Sequence, residues 1–92
     1  MSMALAQKLA AQSIAAVAAG QNLQDVLAAI RAGHPDLSPQ ESGALQDIAY
    51  GCQRHNGSLK FMLGKMLAKP ITNPQLESLL LAALYQLHYT RN

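Results

Sequence analysis

Apolar residues recur along this chain at three- and four-residue spacing, and no stretch alternates with period two for long enough to form a strand. Side chains repeated at that spacing line one face of an α-helix, so the pattern restricts the fold to helices packed through apolar stripes. Glycine, proline and cap residues divide it into five segments. The first covers residues 3–19 and stops at Gly20, a residue suited to the left-handed turn that ends helices. Met3, Ala6, Ala10, Ile14 and Val17 share one side of it, with Leu5, Leu9 and Ala16 on an adjoining strip. Residues 23–32 form the second, with Asn22 as N-cap, Gly33 as terminator and Leu23, Val26, Leu27 and Ile30 as its stripe.

The third segment has the clearest start. Ser38-Pro39-Gln40-Glu41 places a cap, a proline at the first helical position and a glutamate three residues after the cap. Leu45, Ile48, Ala49 and Cys52 then point one way until Asn56-Gly57, which is expected to break the helix. Ser58 is expected to cap a fourth helix over residues 59–69, striped by Leu59, Met62, Leu63, Met66 and Leu67 and ended by Pro70. Asn73-Pro74 opens a fifth that runs to about residue 90. The expected fold class is all-α, a single bundle of about five helices.

Ninety-two residues suffice for one small domain. Half of them are apolar and 13% charged, a core-forming mixture far from the composition of disordered chains. The net charge of +2 permits contact with nucleic acid without dictating it. Cys52 is the only cysteine, which excludes an internal disulfide. Cys52 and His55 are three apart on one helix, but two ligands do not make a zinc site, and His34 and His88 lie elsewhere. There is no glycine-rich phosphate loop and no Gly-x-Ser-x-Gly elbow, and the five acidic residues are dispersed. No catalytic residue, metal or cofactor is therefore expected within this chain. The alanine-rich start lacks a basic flank and is interrupted by Gln12 and Ser13, unlike an export signal. The apolar run at residues 79–85 is far too short to span a membrane. A cytoplasmic location is expected.

The fifth segment is apolar nearly all round. Leu76, Leu80, Ala83, Leu84 and Leu87 make one expected core face, and Leu81, Tyr85 and Tyr89 occupy the opposite side. Four short helices are expected to cover only the first. The second then needs further helices from a longer chain or a second copy, which makes a homodimer of the fragment the expected state.

Two outward faces are candidates for binding. On the third helix Gly43, Asp47, Tyr50, Gly51 and Arg54 lie away from the apolar stripe. Interior helical glycines cost about 0.5–1 kcal/mol relative to alanine, so they point to close approach by another backbone or a ligand. On the fourth, Phe61, Lys65 and Lys69 follow one another at i, i+4 and i+8, an aromatic framed by cations that suits RNA stacking or a partner domain.

Tyr50-Gly51-Cys52-Gln53-Arg54 and the stretch Leu84-Tyr85-Gln86-Leu87-His88-Tyr89-Thr90-Arg91 carry a resemblance. With Asp47, Ala68-Lys69-Pro70 and the small-residue first helix, they make the chain resemble the N-terminal NusB-like domain of the RsmB (Sun, or Fmu) family of bacterial ribosomal RNA methyltransferases. The likeness covers nearly the whole chain and departs from the family pattern at Gln7 and Gln53. It implies an orthogonal NusB-like bundle, here truncated, that binds RNA ahead of a separate methyltransferase domain. That domain would bind S-adenosylmethionine and methylate carbon 5 of a 16S ribosomal RNA cytosine; Cys52 is not its catalytic cysteine. The implied partners are ribosomal RNA and the parent's methyltransferase domain. Candidate RNA-binding residues are Lys8, Arg54, Lys60, Phe61, Lys65, Lys69 and Arg91, with Asp47, Tyr50 and Gly51 as a helix-packing or RNA-facing surface. The rival expectation is a protein–protein module or a NusB-type factor in transcription antitermination.

Overall fold

The computed structural model of the chain describes residues 3–89 as five helices: α1 (Met3–Ala18), α2 (Leu23–Gly33), α3 (Pro39–Arg54), α4 (Asn56–Met66) and α5 (Pro74–Tyr89). No strand occurs among the described residues. The fold is all-α.

Local chemistry accounts for most boundaries. At the end of α1 the Gln21 amide donates to the Ala16 carbonyl at 3.1 Å and the Gly20 amide to Val17 at 2.9 Å. Gly20 has φ +106°, so this is a Schellman ending in which glycine takes the left-handed position. Asn22 caps α2 by accepting the Asp25 amide at 3.2 Å. The capping box forms at α3: the Glu41 amide donates to Ser38 Oγ at 3.0 Å, and the Ser38 amide to Glu41 Oε1 at 2.9 Å. Asn73 Oδ1 accepts the amides of Gln75 and Leu76 at the start of α5.

The junction of α3 and α4 differs from expectation. Asn56-Gly57 does not break the chain; α4 begins at Asn56, and His55 (φ −106°, ψ 22°) alone separates the two helices. The His55 amide bonds to Gly51 and the Leu59 amide to the His55 carbonyl, both at 2.9 Å. First-turn amides need no upstream partner, so Asn56, Gly57 and Ser58 fit as the opening turn of α4 rather than as a stop. At its other end α4 stops at Met66, three residues before the expected limit, because Leu67 is extended (φ −105°, ψ 135°) and Pro70 disfavours helix at the residue before it.

α1 lies at the centre, packed on α2, α3 and α5, while α5 also meets α3 and α4. Ala6 and Ala10 are fully buried on α1, and their small side chains let neighbouring helices approach. Leu9, Leu27, Leu45, Ile48, Leu59 and Leu81 are the largest apolar side chains that are fully buried. Ser13, also fully buried, satisfies its hydroxyl on the Leu9 carbonyl at 3.0 Å. The molecule is only 19 Å thick along its shortest axis, about two helix diameters, so the helices keep an outer face.

The orientation of α5 overturns an expectation. Leu81 and Tyr85 are buried in this chain's own core, together with Ser78, Ala82 and Leu84. Leu76, Leu79 and Leu87, with Ala83, are exposed instead. At about 100° per residue the two sets lie on opposite sides of the helix. An all-round apolar helix carries no periodic signal to choose its buried side; the contacts with α1 and α3 choose it. The expected homodimer rested on an uncovered Leu81–Tyr85 face, and those two side chains are covered within one chain. Of that set only Tyr89 remains open, at 41% exposure.

Truncating Leu81 to alanine is therefore expected to cost about 2–5 kcal/mol, the range for a buried leucine. Leu87→Ala, at a position 77% exposed, should stay within about 0.5 kcal/mol. Urea unfolding of the two variants checks this; equal losses would contradict the assigned face.

Candidate nucleic-acid interface

The site is built where α5 crosses α3. Gly51, in the last turns of α3, sits beneath the Tyr85 ring: a Cβ placed there would lie 2.1 Å from Tyr85 Cζ. No side chain larger than hydrogen fits. The Tyr85 hydroxyl donates to Asp47 Oδ1 at 2.9 Å, one helical turn earlier on α3. Burial first, and the Asp47 hydrogen bond second, raise the Tyr85 pKa above its ordinary value of 10.0. What approaches α3 at Gly51 is therefore a tyrosine side chain of α5 rather than a backbone or a ligand, and Gly51 is buried rather than outward-facing. Gly43 has nothing within 4 Å and no such role.

From this fixed ring a small aromatic group extends to the surface. Tyr89, one turn further along α5, lies 5.6 Å from Tyr85 with an interplanar angle of 20°. His55, at the α3–α4 junction, stacks on Tyr89 at 4.0 Å and 10°. Arg54 is exposed immediately before His55, and Tyr50 packs half-buried against the core.

The cations fall into separate groups. Five of the seven basic residues, but only one of the five acidic ones, lie from Arg54 onward. On α4 the Lys65 ammonium stands 4.8 Å above the ring of Phe61, which is 64% exposed, so the lysine already covers one of its faces. Lys60 and Lys69 border a groove of about 310 Å³ between α4, the loop after it and the start of α5. Lys8 lies on α1 beside Gln7, whose side chain donates to Gln86 Oε1 on α5. Gln7 thereby ties α1 to α5. Arg91 lies outside the described residues. Arg31 is engaged between helices, donating from Nε to Ser42 Oγ at 3.1 Å and from Nη2 to Gln46 Oε1 at 3.0 Å.

A second cleft of about 250 Å³ opens among the helices, with Ile14, Leu23, Cys52, Lys60, Glu77 and Leu81 on its walls. Cys52 is buried and its thiol approaches the Leu81 carbonyl at 3.7 Å. Burial, reinforced by the Asp47 charge, pushes that thiol up from 9.0 to about 12. A thiol so disfavoured as thiolate is a poor nucleophile. Among the described residues no group of three or more His, Cys, Asp or Glu side chains could hold a metal ion, and no helix is long and apolar enough to cross a membrane.

The sequence singled out Asp47, Gly51 and Tyr85 without pairing them, and it missed His55 as a ring partner. No local pattern signals a contact between positions 34 residues apart. A mid-helix glycine one turn after an aspartate was the available sign that a large ring lies over α3.

Among the described residues, five helices and no strand, locked where α3 meets α5, define an all-α helical domain. The model of the NusB family matches residues 4–92, and the chain belongs to that family. Among curated proteins it is similar to ribosomal RNA small subunit methyltransferase B of Pectobacterium atrosepticum, with 35% identity over 85 residues. The match takes in 87% of this chain and 20% of that protein. The protein of the same name from Klebsiella pneumoniae subsp. pneumoniae is 34% identical over 88 residues, covering 92% of this chain and 20% of its own length. That of Sodalis glossinidius is 36% identical over 86 residues, covering 90% and 19%. The chain thus spans about one fifth of the length of these relatives and matches as a NusB-like fragment. No solved structure gives a significant match.

Gly51→Ala is expected to destabilise the fold by about 1–3 kcal/mol through overpacking against Tyr85, despite alanine's better helix propensity. Gly43→Ala, with open space around it, should instead stabilise by about 0.5–1 kcal/mol. Opposite shifts in the urea midpoint would bear this out; shifts of the same sign would not.

A further expectation concerns Cys52. Alkylation at pH 8 should run roughly a thousandfold slower in the native chain than in urea, since each pKa unit is tenfold in thiolate. Cys52 and Tyr85 both favour their neutral forms when folded. Their contribution to stability is therefore complete below pH 9.0, the ordinary thiol value, and is lost as pH rises through their raised folded values. Thermal melts between pH 8 and 11 read that loss.

Proposed function

We propose that this chain is an RNA-binding accessory domain of a ribosomal RNA methyltransferase. It holds RNA while methyl transfer from S-adenosylmethionine is carried out by a separate domain in the four fifths of the relatives that it does not match. The observation that carries the reading is the match to the NusB family over residues 4–92, joined to relatives named for ribosomal RNA methylation. The charge distribution supports it: basic residues gather from Arg54 onward, and Phe61 with Lys60, Lys65 and Lys69 places cations and an exposed ring on α4 and the loop after it. Such a surface meets phosphates through the lysines and orients the strand, while a ring offers a face to a base. The location that fits this role is the cytoplasm, where ribosomal RNA is modified.

A specific observation favours a second reading, a protein-docking module or a NusB-type antitermination factor. Leu76, Leu79, Ala83 and Leu87 form an exposed apolar stripe along α5, of the kind that protein interfaces cover. The natural occupant is the rest of a parent chain.

Binding to a fragment of small-subunit ribosomal RNA, followed by anisotropy across a salt series, tests the first reading. Affinity should fall linearly in log–log form, and Lys60→Ala and Lys65→Ala should each lower the slope by about 1. Absence of binding even at low salt would leave the docking reading in possession.

A further inference from the structure

We propose that the stacked rings of Tyr89 and His55 form a landing for one unpaired RNA base, with Arg54 placed to meet the adjoining phosphate. The proposal rests on the RNA-binding reading and specifies what part of the RNA this edge takes.

The geometry is unusual for a surface. Two side chains from different helices lie cofacial at 4.0 Å and 10°, while Tyr89 keeps 41% of its surface in solvent and His55 is half-buried. Ordering two surface side chains costs rotamer entropy, and here that cost is met before any ligand arrives. The support is traceable: Asp47 and Gly51 fix Tyr85, Tyr85 lies 5.6 Å from Tyr89, and Tyr89 carries His55. A preformed platform loses little freedom on binding, which is what makes stacking effective. Of the three rings Tyr89 is the most exposed, at 41% against 5% for Tyr85, and is the one a base reaches.

The occupant is a nucleobase rather than an apolar side chain because of what borders the rings. Arg54, exposed at the end of α3, directly precedes His55 and brings a positive charge to this edge of the molecule. A cation next in sequence to a ring pair suits a base with its phosphate. The apolar stripe that suits protein lies on the far side of α5. Bases within a duplex hide their faces against their neighbours, so the ligand is a single-stranded segment, a bulge or a loop.

The test pairs protein variants with RNA variants. Tyr89→Ala and His55→Ala should each weaken binding of a single-stranded ribosomal RNA oligonucleotide by roughly 5- to 100-fold, the usual effect of removing a stacking ring. Tyr89→Phe should retain affinity. The salt slope should not change in any of these, because no phosphate contact is lost, whereas Lys60→Ala and Lys65→Ala lower it. In an abasic scan of the oligonucleotide one position should weaken the wild type and add nothing to Tyr89→Ala. Circular dichroism confirms helicity; should Tyr89→Ala unfold, the scan against wild type and Tyr89→Phe decides. Wild-type affinity in both alanine variants, or a scan with no sensitive position, overturns the proposal while the lysine effects leave RNA binding standing. No binding by the wild type at low salt overturns the RNA reading and the proposal with it.

Discussion

The contact of Tyr85 with Gly51 sets the rest of the molecule. One ring occupies the volume where any other residue would place a Cβ, and one hydrogen bond to Asp47 holds the hydroxyl end. Together they fix the rotation of α5 about its axis. Once Tyr85 faces α3, Ser78, Leu81 and Ala82 must face the core, and Leu76, Leu79 and Leu87 must face out. Tyr89, one turn on, is carried to His55 by the same rotation. The helical penalty of a glycine, about 0.5–1 kcal/mol, is small beside the roughly 1.5–3 kcal/mol gained by burying a large side chain.

Much of this was legible in the sequence where a residue acts on its immediate neighbours. The capping box of Ser38 and Glu41, the turn at Gly20 and the cap at Asn22 are short-range chemistry, and each stands where its residues place it. The stripe of α3 was readable because Leu45, Ile48, Ala49 and Cys52 have polar residues on the other side to contrast with. α5 offers no such contrast. Its leucines surround the axis, so the buried side is decided by Gly51 on another helix; the periodicity placed Leu80 and Leu84 correctly but put Leu76, Ala83 and Leu87, which face out, on the core side. The α3–α4 junction failed for a related reason. Asn-Gly serves equally as an ending or as a first turn, and the choice falls to the packing of Leu59 and Leu63, both buried against the core.

The candidate site divides along the same line. Charges are legible one residue at a time, so Lys60, Lys65 and Lys69 could be named from the sequence, and the i, i+4 relation of Phe61 and Lys65 reappears as a cation over a ring. The aromatic group could not be assembled in advance. It joins a helix junction to a helix end, and it exists only because the crossing of α3 and α5 has been fixed by a glycine and an aspartate. In the sequence His55 had only Cys52 for a neighbour of interest. Its meaning comes from Tyr89, just as the meaning of Gln7 comes from Gln86.

The two readings of function draw on surfaces that do not compete. The aromatic group and Arg54 lie where α5 meets the α3–α4 junction, whereas the leucine stripe lies on the opposite side of α5, facing away from α1 and α3. In a body 19 Å thick, a helix packed on one side leaves the other open, and α5 is apolar on both. A helix of that composition is stable in a small domain when its inner side is buried by its own chain and its outer side by another body. Binding RNA through one edge and docking protein through the other can therefore occur together. That arrangement suits the proposed accessory role, in which one surface holds a nucleic acid while another docks a catalytic partner.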